Sequence, residues 1–432
     1  MTDSTPIYNL KAVIRETGLG PETLRAWERR YGLPRPQRSP GGHRLYSPYD
    51  IDMLKWLVAR QKEGLSISRA VEMWRSLEKD GQDPLQQFHA PLQALDAGGS
   101  MLDDLRSGWI AACLAFDEQA AERVLAQAFA IAAPEIACTE VIQKGLAEIG
   151  VRWYQGASSV QQEHFASALA MRRINTLFSA APPPTRPGRI LAACPPGEEH
   201  DFVLLLAAFL LRRRGWEVVY LGANVPLSRL ADTLQLTAPR LVLSVAQTLN
   251  SAASLHAMAD EVNAHGVSLA YGGGIFNIYP ALTEHIYGYF LGNEVAAVPQ
   301  VVEHLLSRLP ALPRPRPVSP EYAQVLAKFV EKEALIVASV TQALQPVQIE
   351  PAHLENANSN FTRDIVSALS LGDIHFLDHS VGWLEGLLEN YGLSPALAVR
   401  YFAAYRQAVQ QHLGSYAAPI LDWLTRFNQA AL

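Results

Sequence analysis

Cysteine is nearly absent from this chain: three in 432 residues, Cys113, Cys138 and Cys194, with no C-x-x-C spacing among them. That scarcity excludes a disulfide framework and a thiolate zinc site, and it suits a reducing compartment. Long apolar runs are missing too. The longest, Phe202–Leu211, spans ten residues, about half of the ~20 that a membrane helix needs. Residues Met1 to Pro6 hold neither a basic cluster nor an apolar stretch, so no secretory signal is read and a cytoplasmic protein is expected. Charged residues make up only 18% of the chain and apolar residues 49%. This balance excludes a disordered chain and leaves room for about two to four globular domains.

The charge that is present is unevenly placed. Between residues 10 and 46, eight Lys or Arg face three acids, an excess of five; with a net charge of −6, the remainder carries about −11. A basic end on an acidic protein is expected of a DNA-reading head on a sensory body. Residues 1–80 hold that head. Residues 92–180 read as helices almost throughout, with apolar residues at spacings of three and four, and a Pro-rich break at 181–188 follows. Residues 189–308 alternate helical stretches with short β-rich runs at Arg189–Cys194, Glu217–Leu221, Arg240–Ala246, Val267–Tyr271 and Tyr287–Leu291. Such alternation predicts a parallel sheet with helices on both faces. A second Pro-rich linker, 309–317, is expected to be extended and semi-rigid, and 319–432 is helical again. The expected fold class is multidomain α and α/β: a winged helix-turn-helix, a four-helix bundle, a Rossmann-like parallel-sheet domain and a C-terminal all-helical domain.

In the basic head, Ile7–Ile14 reads as a short amphipathic helix, Gly18 as a turn and Pro21-Glu22 as the opening of a second helix through Arg30. Two helices about a turn apart, the second rich in Arg, make a helix-turn-helix. Arg25, Arg29 and Arg30 fall near one face of it, suited to phosphates and base edges, and Arg15 joins them from the first helix. Gly41-Gly42 between extended segments predicts a hairpin wing that offers Arg38, His43 and Arg44 to the DNA backbone. Trp27 is read as a core residue. The run Thr23-Leu24-Arg25-x-Trp27-Glu28-Arg29-Arg30-Tyr31-Gly32-Leu33, then Pro36-x-Arg38, then Gly41-Gly42-His43-Arg44-Leu45-Tyr46 resembles the MerR family of regulators. That resemblance implies a double-stranded DNA operator with spaced half-sites and a symmetric homo-oligomer, a dimer or tetramer.

The first loop of the α/β segment reads Cys194-Pro195-Pro196-Gly197-Glu198-Glu199-His200-Asp201. In doubly wound sheets ligands sit beyond the carboxyl ends of the strands, where this loop falls. An imidazole there can ligate a metal, and a neighbouring carboxylate, Glu198 or Asp201, can fix its tautomer. With Ser244 at the end of the third strand and Gly272-Gly273 after the fourth, the segment resembles cobalamin-binding Rossmann-like domains. The resemblance implies His200 as the lower cobalt ligand, the nucleotide tail in the slot opened by Gly272 and Gly273, and the Ser244 hydroxyl on its base. One departure is Val203, which stands where the family loop carries glycine; the loop is expected to pack differently while the ligand survives.

In the preceding helices, Trp153 is followed ten residues later by Glu163-His164. This spacing resembles the light-dependent cobalamin repressors of the CarH/LitR group. There the helical bundle caps the upper face of adenosylcobalamin, which implies Trp153 packed on the adenosyl group and Glu163 bonded to it. The histidine that follows the tryptophan in those proteins is Tyr154 here. The resemblance therefore does not carry over to a bis-histidine photoproduct, and His164 is the nearby substitute.

Residues 319–432 lie outside these resemblances. Nine aromatics fall within the 52 residues from Phe376 to Phe427, which fits either a dense core or a second chromophore pocket. The segment resembles the globin-like domains of photocobilins, which implies biliverdin or another bilin held by His375, His379, Arg400, Tyr401 and Tyr405. A thioether link is excluded, because the segment has no cysteine. A cobalamin enzyme would need a substrate barrel that no segment provides, so no catalytic residue is assigned. The expected function is a DNA-binding transcription regulator that senses light through adenosylcobalamin and answers by changing oligomer state and operator binding. The rival is a regulator whose cobalamin fold no longer takes corrinoid and which responds through a bilin or a protein partner.

Overall fold

The computed structural model describes residues 8–17, 19–38, 44–62, 67–79, 99–308, 310–345, 350–378 and 396–430. The chain divides into two compact units, Met1–Asp96 and Ala97–Leu432.

The first unit runs β1 (Tyr8–Asn9), α1 (Leu10–Thr17), α2 (Pro21–Tyr31), β2 (Gln37–Arg38), β3 (Arg44–Tyr46), α3 (Pro48–Lys62) and α4 (Ile67–Lys79). The first helix starts later than the apolar spacing suggested. Asn9 Oδ1 accepts the Ala12 N–H at 3.0 Å and so caps the helix, while Tyr8 and Asn9 pair antiparallel with Tyr46 and Leu45. Gly20 precedes Pro21 at the first position of α2, and Gly32 closes the helix in the left-handed region at φ +66°; only glycine enters that region without cost. Strands β2 and β3 form the expected wing. Its Gly-Gly turn, with His43, lies outside the described residues, as does Gly18. Val13, Leu24, Trp27, Leu54, Trp56 and Trp74 share one buried cluster, so Trp27 is indeed core.

The second unit opens with four antiparallel-type helical segments: α5 (Gly99–Leu114), α6 (Glu118–Ile131), a long third helix and α9 (Val160–Ser179). The third consists of α7 (Pro134–Ala137), a π-helical stretch at Cys138–Gln143 and α8 (Lys144–Tyr154). Trp109 is fully buried, and a methyl on Gly145 would sit 2.7 Å from its ring; that glycine allows α5 and α8 to close. Ser159 and Gln162 form a reciprocal capping box at the start of α9. All three cysteines are buried, and burial pushes the Cys113 thiol up to about 12, which leaves it protonated and inert.

Then follow β4 (Arg189–Ala193), α10 (Phe202–Arg213), β5 (Glu217–Gly222), α11 (Leu230–Thr237), β6 (Leu241–Val245), α12 (Leu249–Ala264), β7 (Leu269–Gly272), α13 (Gly274–Ile278), β8 (Tyr289–Phe290) and α14 (Val298–Arg308). The strands lie in the order β5-β4-β6-β7-β8 and every pairing is parallel. The order reverses between β4 and β6, so the loops after these two strands flank the switch point. Successive strand residues point to opposite faces, and two cores result. Ile190, Ala192, Leu243 and Ala270 join the helical bundle, α10 and α14. Leu191, Ala193, Val242 and Leu269 join α11, α12 and the C-terminal helices. A sheet buried on both faces needs near-continuous apolar strands, which β4 and β6 supply.

The described part of the linker after α14 is pinned to the sheet domain. Tyr289 donates to the Pro310 carbonyl at 2.5 Å, and the Arg316 N–H donates to the Glu284 carbonyl at 2.7 Å. Helices α15 (Pro320–Leu344), α16 (Pro351–Leu371), α17 (Ala396–Leu413) and α18 (Ala418–Ala430) complete the unit, and α16 packs on α12. After α16 comes a 3-10 turn at Ile374–Leu377; residues 379–395 lie outside the described residues.

His285 sits at this junction, 4% exposed, with its ring bonded to the Leu371 backbone and edge-on to Phe376 at 5.3 Å. Its Nδ1 has no partner. Burial lowers its pKa from the ordinary 6.5, Arg316 adds to that, and Asp373 and Glu284 oppose it. A histidine held neutral in the fold stabilises it fully above the unfolded value, and that contribution is lost as pH falls below 6.5. The unfolding midpoint should therefore drop between about pH 7 and about pH 5, and His285→Gln should flatten the drop; thermal melts across that range check it.

Candidate functional site

Strand β4 delivers the chain to the sheet's carboxyl edge, where the Cys194 N–H donates to the Gly222 carbonyl at 2.9 Å. The loop turns at Gly197, in the left-handed region at φ +79°, and ends at His200 just before α10. Glu198 is wholly buried beneath it. Its Oε1 receives both the His200 backbone N–H and the ring Nδ1, each at 2.8 Å, and its Oε2 receives the Gln247 N–H at 2.6 Å. The Ser251 hydroxyl, at the same corner, donates to the Thr248 carbonyl at 3.0 Å and accepts the Gln247 N–H at 3.2 Å. Burial alone would raise the Glu198 carboxyl, but the bonds from His200 and Gln247, with the nearby Ser251 hydroxyl, outweigh it and hold the group below its ordinary value. The bond to Glu198 also raises the His200 pKa against the opposing effect of burial, with Glu163 and Glu199 adding to the rise.

The His200 side chain is 71% exposed. With Nδ1 tied to a carboxylate, Nε2 is the nitrogen left for a metal. Of the two carboxylates offered for that backing role, Glu198 takes it. Asp201 instead accepts the Tyr220 hydroxyl at 2.7 Å. Val203 is the second residue of α10 and keeps an ordinary negative φ. The helix begins two residues after His200, with Asp201 at its N-cap, and the missing glycine leaves no backbone strain at Val203.

Ser244 is fully buried on the α12 face of the sheet, with its hydroxyl 3.8 Å from the Met258 sulfur. Gly273 has φ +122°, and a methyl there would lie 2.0 Å from the Ala246 carbonyl oxygen. Its first duty is therefore to let two loops of the sheet edge touch. Gly272 has more room, its nearest neighbour 3.9 Å away. The Gly274 N–H donates to Gln247 Oε1 at 2.8 Å, so Gln247 links the Glu198 loop to the glycine turn. Sequence reasoning missed Gln247 and Ser251. The legible signal was the Thr248/Ser251 capping pair that opens α12.

In the helical bundle, Trp153 and Tyr154 end α8 and stand exposed, as do Val151 and Val160 nearby. Glu163 lies in the first turn of α9. Its Oε1 accepts the Ser167 hydroxyl at 2.6 Å and its Oε2 meets His164 Nδ1 at 2.8 Å. Glu163 is one of the carboxylates whose charge helps to raise the His200 pKa. Arg212 fastens the bundle to the sheet domain. Its guanidinium lies 3.5 Å from the Phe178 ring centre and donates to the Phe178 and Val218 carbonyls at 3.1 and 2.9 Å.

On the DNA head, Arg25, Arg29 and Arg30 are exposed on α2. Arg25 pairs with Glu22 at 3.0 Å, and Arg30 lies over the Tyr31 ring. Arg44 is half-buried and paired with Glu28 at 3.0 Å, which ties the wing to α2. The Arg15 and Arg38 side chains and all of His43 lie outside the described residues.

The C-terminal candidates do not gather as a tetrapyrrole would require. Tyr401 and Tyr405 are core residues whose hydroxyls bond Asn358 and Thr362 at 3.0 and 2.8 Å. His375 is exposed on the 3-10 turn, and His379 lies outside the described residues. Arg400 lines an open groove of about 510 Å³ with Arg406, Gln407 and Leu344. Phe376, Tyr401, Phe402, Tyr405 and Trp423 are buried in the core, while Tyr416 is exposed.

An exposed Nε2 backed by a buried carboxylate fits a lower cobalt ligand. Ser244 fits a nucleotide base only once Met258 gives way, since nothing outside reaches its hydroxyl.

The family models that match are the MerR HTH family regulatory protein over residues 8–77 and two B12 binding domains over residues 105–177 and 188–302. The HTH-type transcriptional repressor CarH of Myxococcus xanthus is 34% identical over 242 residues, 54% of this chain and 77% of its own length. The repressor CarA of the same organism is 34% identical over 236 residues, 54% of this chain and 74% of its own. Among solved structures, the Methanosarcina barkeri monomethylamine corrinoid protein covers 48% of this chain and all of its own at 17% identity, with a TM-score of 0.41. The head and the two-part module thus define a MerR-type transcription regulator with B12-binding domains. The chain belongs to the family of the repressors CarH and CarA. No described helix is long and apolar enough to cross a membrane.

Glu198→Ala would strand the Gln247 N–H and the His200 ring. A loss of about 1–3 kcal/mol is expected from unsatisfied buried partners, read by denaturant unfolding of the cofactor-free protein.

Proposed function

We propose that the chain is a cytoplasmic light-responsive regulator that holds adenosylcobalamin between its helical bundle and its sheet domain, and that cofactor state sets oligomerisation and operator affinity. The observation that carries this reading is the His200–Glu198 pair, with the ring Nδ1 bonded to the buried carboxylate at 2.8 Å and the His200 side chain exposed. His200 would hold cobalt from below, with Glu198 fixing its tautomer. Glu163, steadied by Ser167, would accept hydrogen bonds from the sugar of the adenosyl group, and the exposed Trp153 ring would cover its base. Gly272 and Gly273 would border the tail and Ser244 would bond it. Adenosylcobalamin, when bound, supplies a cobalt–carbon bond that visible light breaks. Loss of the adenosyl group would leave Glu163 and Trp153 without their partner, and the bundle would shift between packings that differ in oligomer state. His164, whose ring meets Glu163 at 2.8 Å, would be the imidazole that the bundle could offer to cobalt, and Tyr154 would be the weaker ligand.

On the head, α2 would enter the major groove with Arg25, Arg29 and Arg30, while Arg15, Arg38, His43 and Arg44 contact phosphates of a double-stranded operator. The protein acts as a regulator and not as an enzyme in this reading, and half-site symmetry would require a dimer or tetramer.

Purified protein given adenosylcobalamin should show corrinoid absorption bands that change under green light, and His200→Ala should bind the cofactor at least tenfold more weakly. Unchanged corrinoid affinity in that variant, or none in the parent protein, would contradict the reading. In DNA titrations at several salt concentrations, Arg29→Ala should make the slope of log affinity against log salt shallower by about 1.

A further inference from the structure

We infer that Asn224, in the loop after β5, is a positioning residue that presets the cobalt-ligand loop. The inference rests on the reading of His200 as a cobalt ligand and extends it to a residue outside the His loop itself. Asn224 makes three hydrogen bonds, all to residues just before His200. Its backbone N–H donates to the Glu198 carbonyl at 2.9 Å. Its Oδ1 accepts the Gly197 N–H at 2.9 Å, and its Nδ2 donates to Glu199 Oε1 at 2.8 Å. A side chain with one acceptor and one donor at that reach is an amide. Asparagine is also a residue that tolerates the left-handed backbone the position adopts, φ +52°.

The end of β5 holds the other side of the loop as well, through the Tyr220 hydroxyl on Asp201 at 2.7 Å. His200 is therefore bracketed between Glu199 and Asp201, each anchored to β5 or its following loop. Glu198 turns the ring, and Asn224 fixes the backbone from which Glu198 acts. A loop already in its ligating shape binds without paying to order itself. Where the family loop relies on a glycine three residues after the histidine, this chain carries Val203 at the start of α10. The anchoring comes from β5 instead.

The test uses the full-length protein and two corrinoids, cobalamin and cobinamide. Cobinamide lacks the nucleotide base, so only a protein side chain can be its lower nitrogen ligand. Asn224→Gly removes the side chain and keeps the left-handed backbone free of strain. It should weaken both corrinoids by about the same factor, roughly tenfold, the lower end of the loss seen when an outer partner of a ligand is removed. In the cofactor-free protein it should also speed hydrogen exchange at the Gly197 amide. Asn224→Asp should weaken binding too, because two carboxylates then face each other. Combining it with Glu199→Gln reverses the donor and acceptor and should restore affinity to within about twofold of the parent protein. Parent-like affinity in Asn224→Gly, while His200→Ala loses it, would overturn the inference alone. Equal affinity in all three, or no corrinoid bound by the parent protein, would overturn the His200 reading and this inference with it. Failure of the double variant to recover would likewise overturn the amide clamp.

Discussion

A carboxylate with no exposure to water governs the carboxyl edge of the sheet. Burying an ionised group without partners costs several kcal/mol, so Glu198 persists only because it is fully engaged. Its partners come from two stretches of chain: the His200 ring and backbone, and the Gln247 N–H after β6. Gln247 passes the constraint on to Gly274 after β7. One ion thus ties the loops of three neighbouring strands, and the imidazole that faces outward is aimed by charges that do not. Geometry and basicity at His200 follow from the same bonds.

The two faces of the sheet serve different partners. Alternate residues of β4 and β6 feed one core shared with the helical bundle and another shared with the C-terminal helices. Ser244 falls on the second face, against Met258 of α12, and α12 packs on α16. A base that entered the slot at Ser244 would press on the helix that carries the C-terminal domain. On the other face, Arg212 and Phe178 couple the bundle to the start of β5, the strand whose far end anchors the His200 loop. The His200 loop is therefore tied to a sheet whose two faces pack against the helical bundle and the C-terminal helices.

Much of this was legible before any coordinates. Five strands were readable from β-rich runs bounded by loops, and each falls within one or two residues of its expected place because a sheet buried on both faces leaves an apolar signature. The helix-turn-helix was readable because its glycines and arginines sit at fixed offsets. Reading the site was harder. Glu198 and Asp201 look alike as neighbours of His200, and only the fold turns one under the ring and the other toward Tyr220. Gln247, Ser251 and Asn224 lie about 24 to 51 residues from His200 in sequence, so no local pattern announces them. The C-terminal aromatics left two readings open for the opposite reason. Tyr401 and Tyr405 have the chemistry of ligand groups, yet their hydroxyls are spent on Asn358 and Thr362 inside a core.

The central claim is that His200, aimed by Glu198, is the nitrogen beneath cobalt. It is tested most directly by the electron paramagnetic resonance spectrum of the cobalt(II) corrinoid bound to protein labelled with ¹⁵N only at histidine. The account predicts that the three-line nitrogen splitting of each cobalt line becomes two-line on labelling, and that His200→Ala abolishes this change. A three-line pattern indifferent to the label would mean that the nucleotide base keeps its place on cobalt, and would contradict the account.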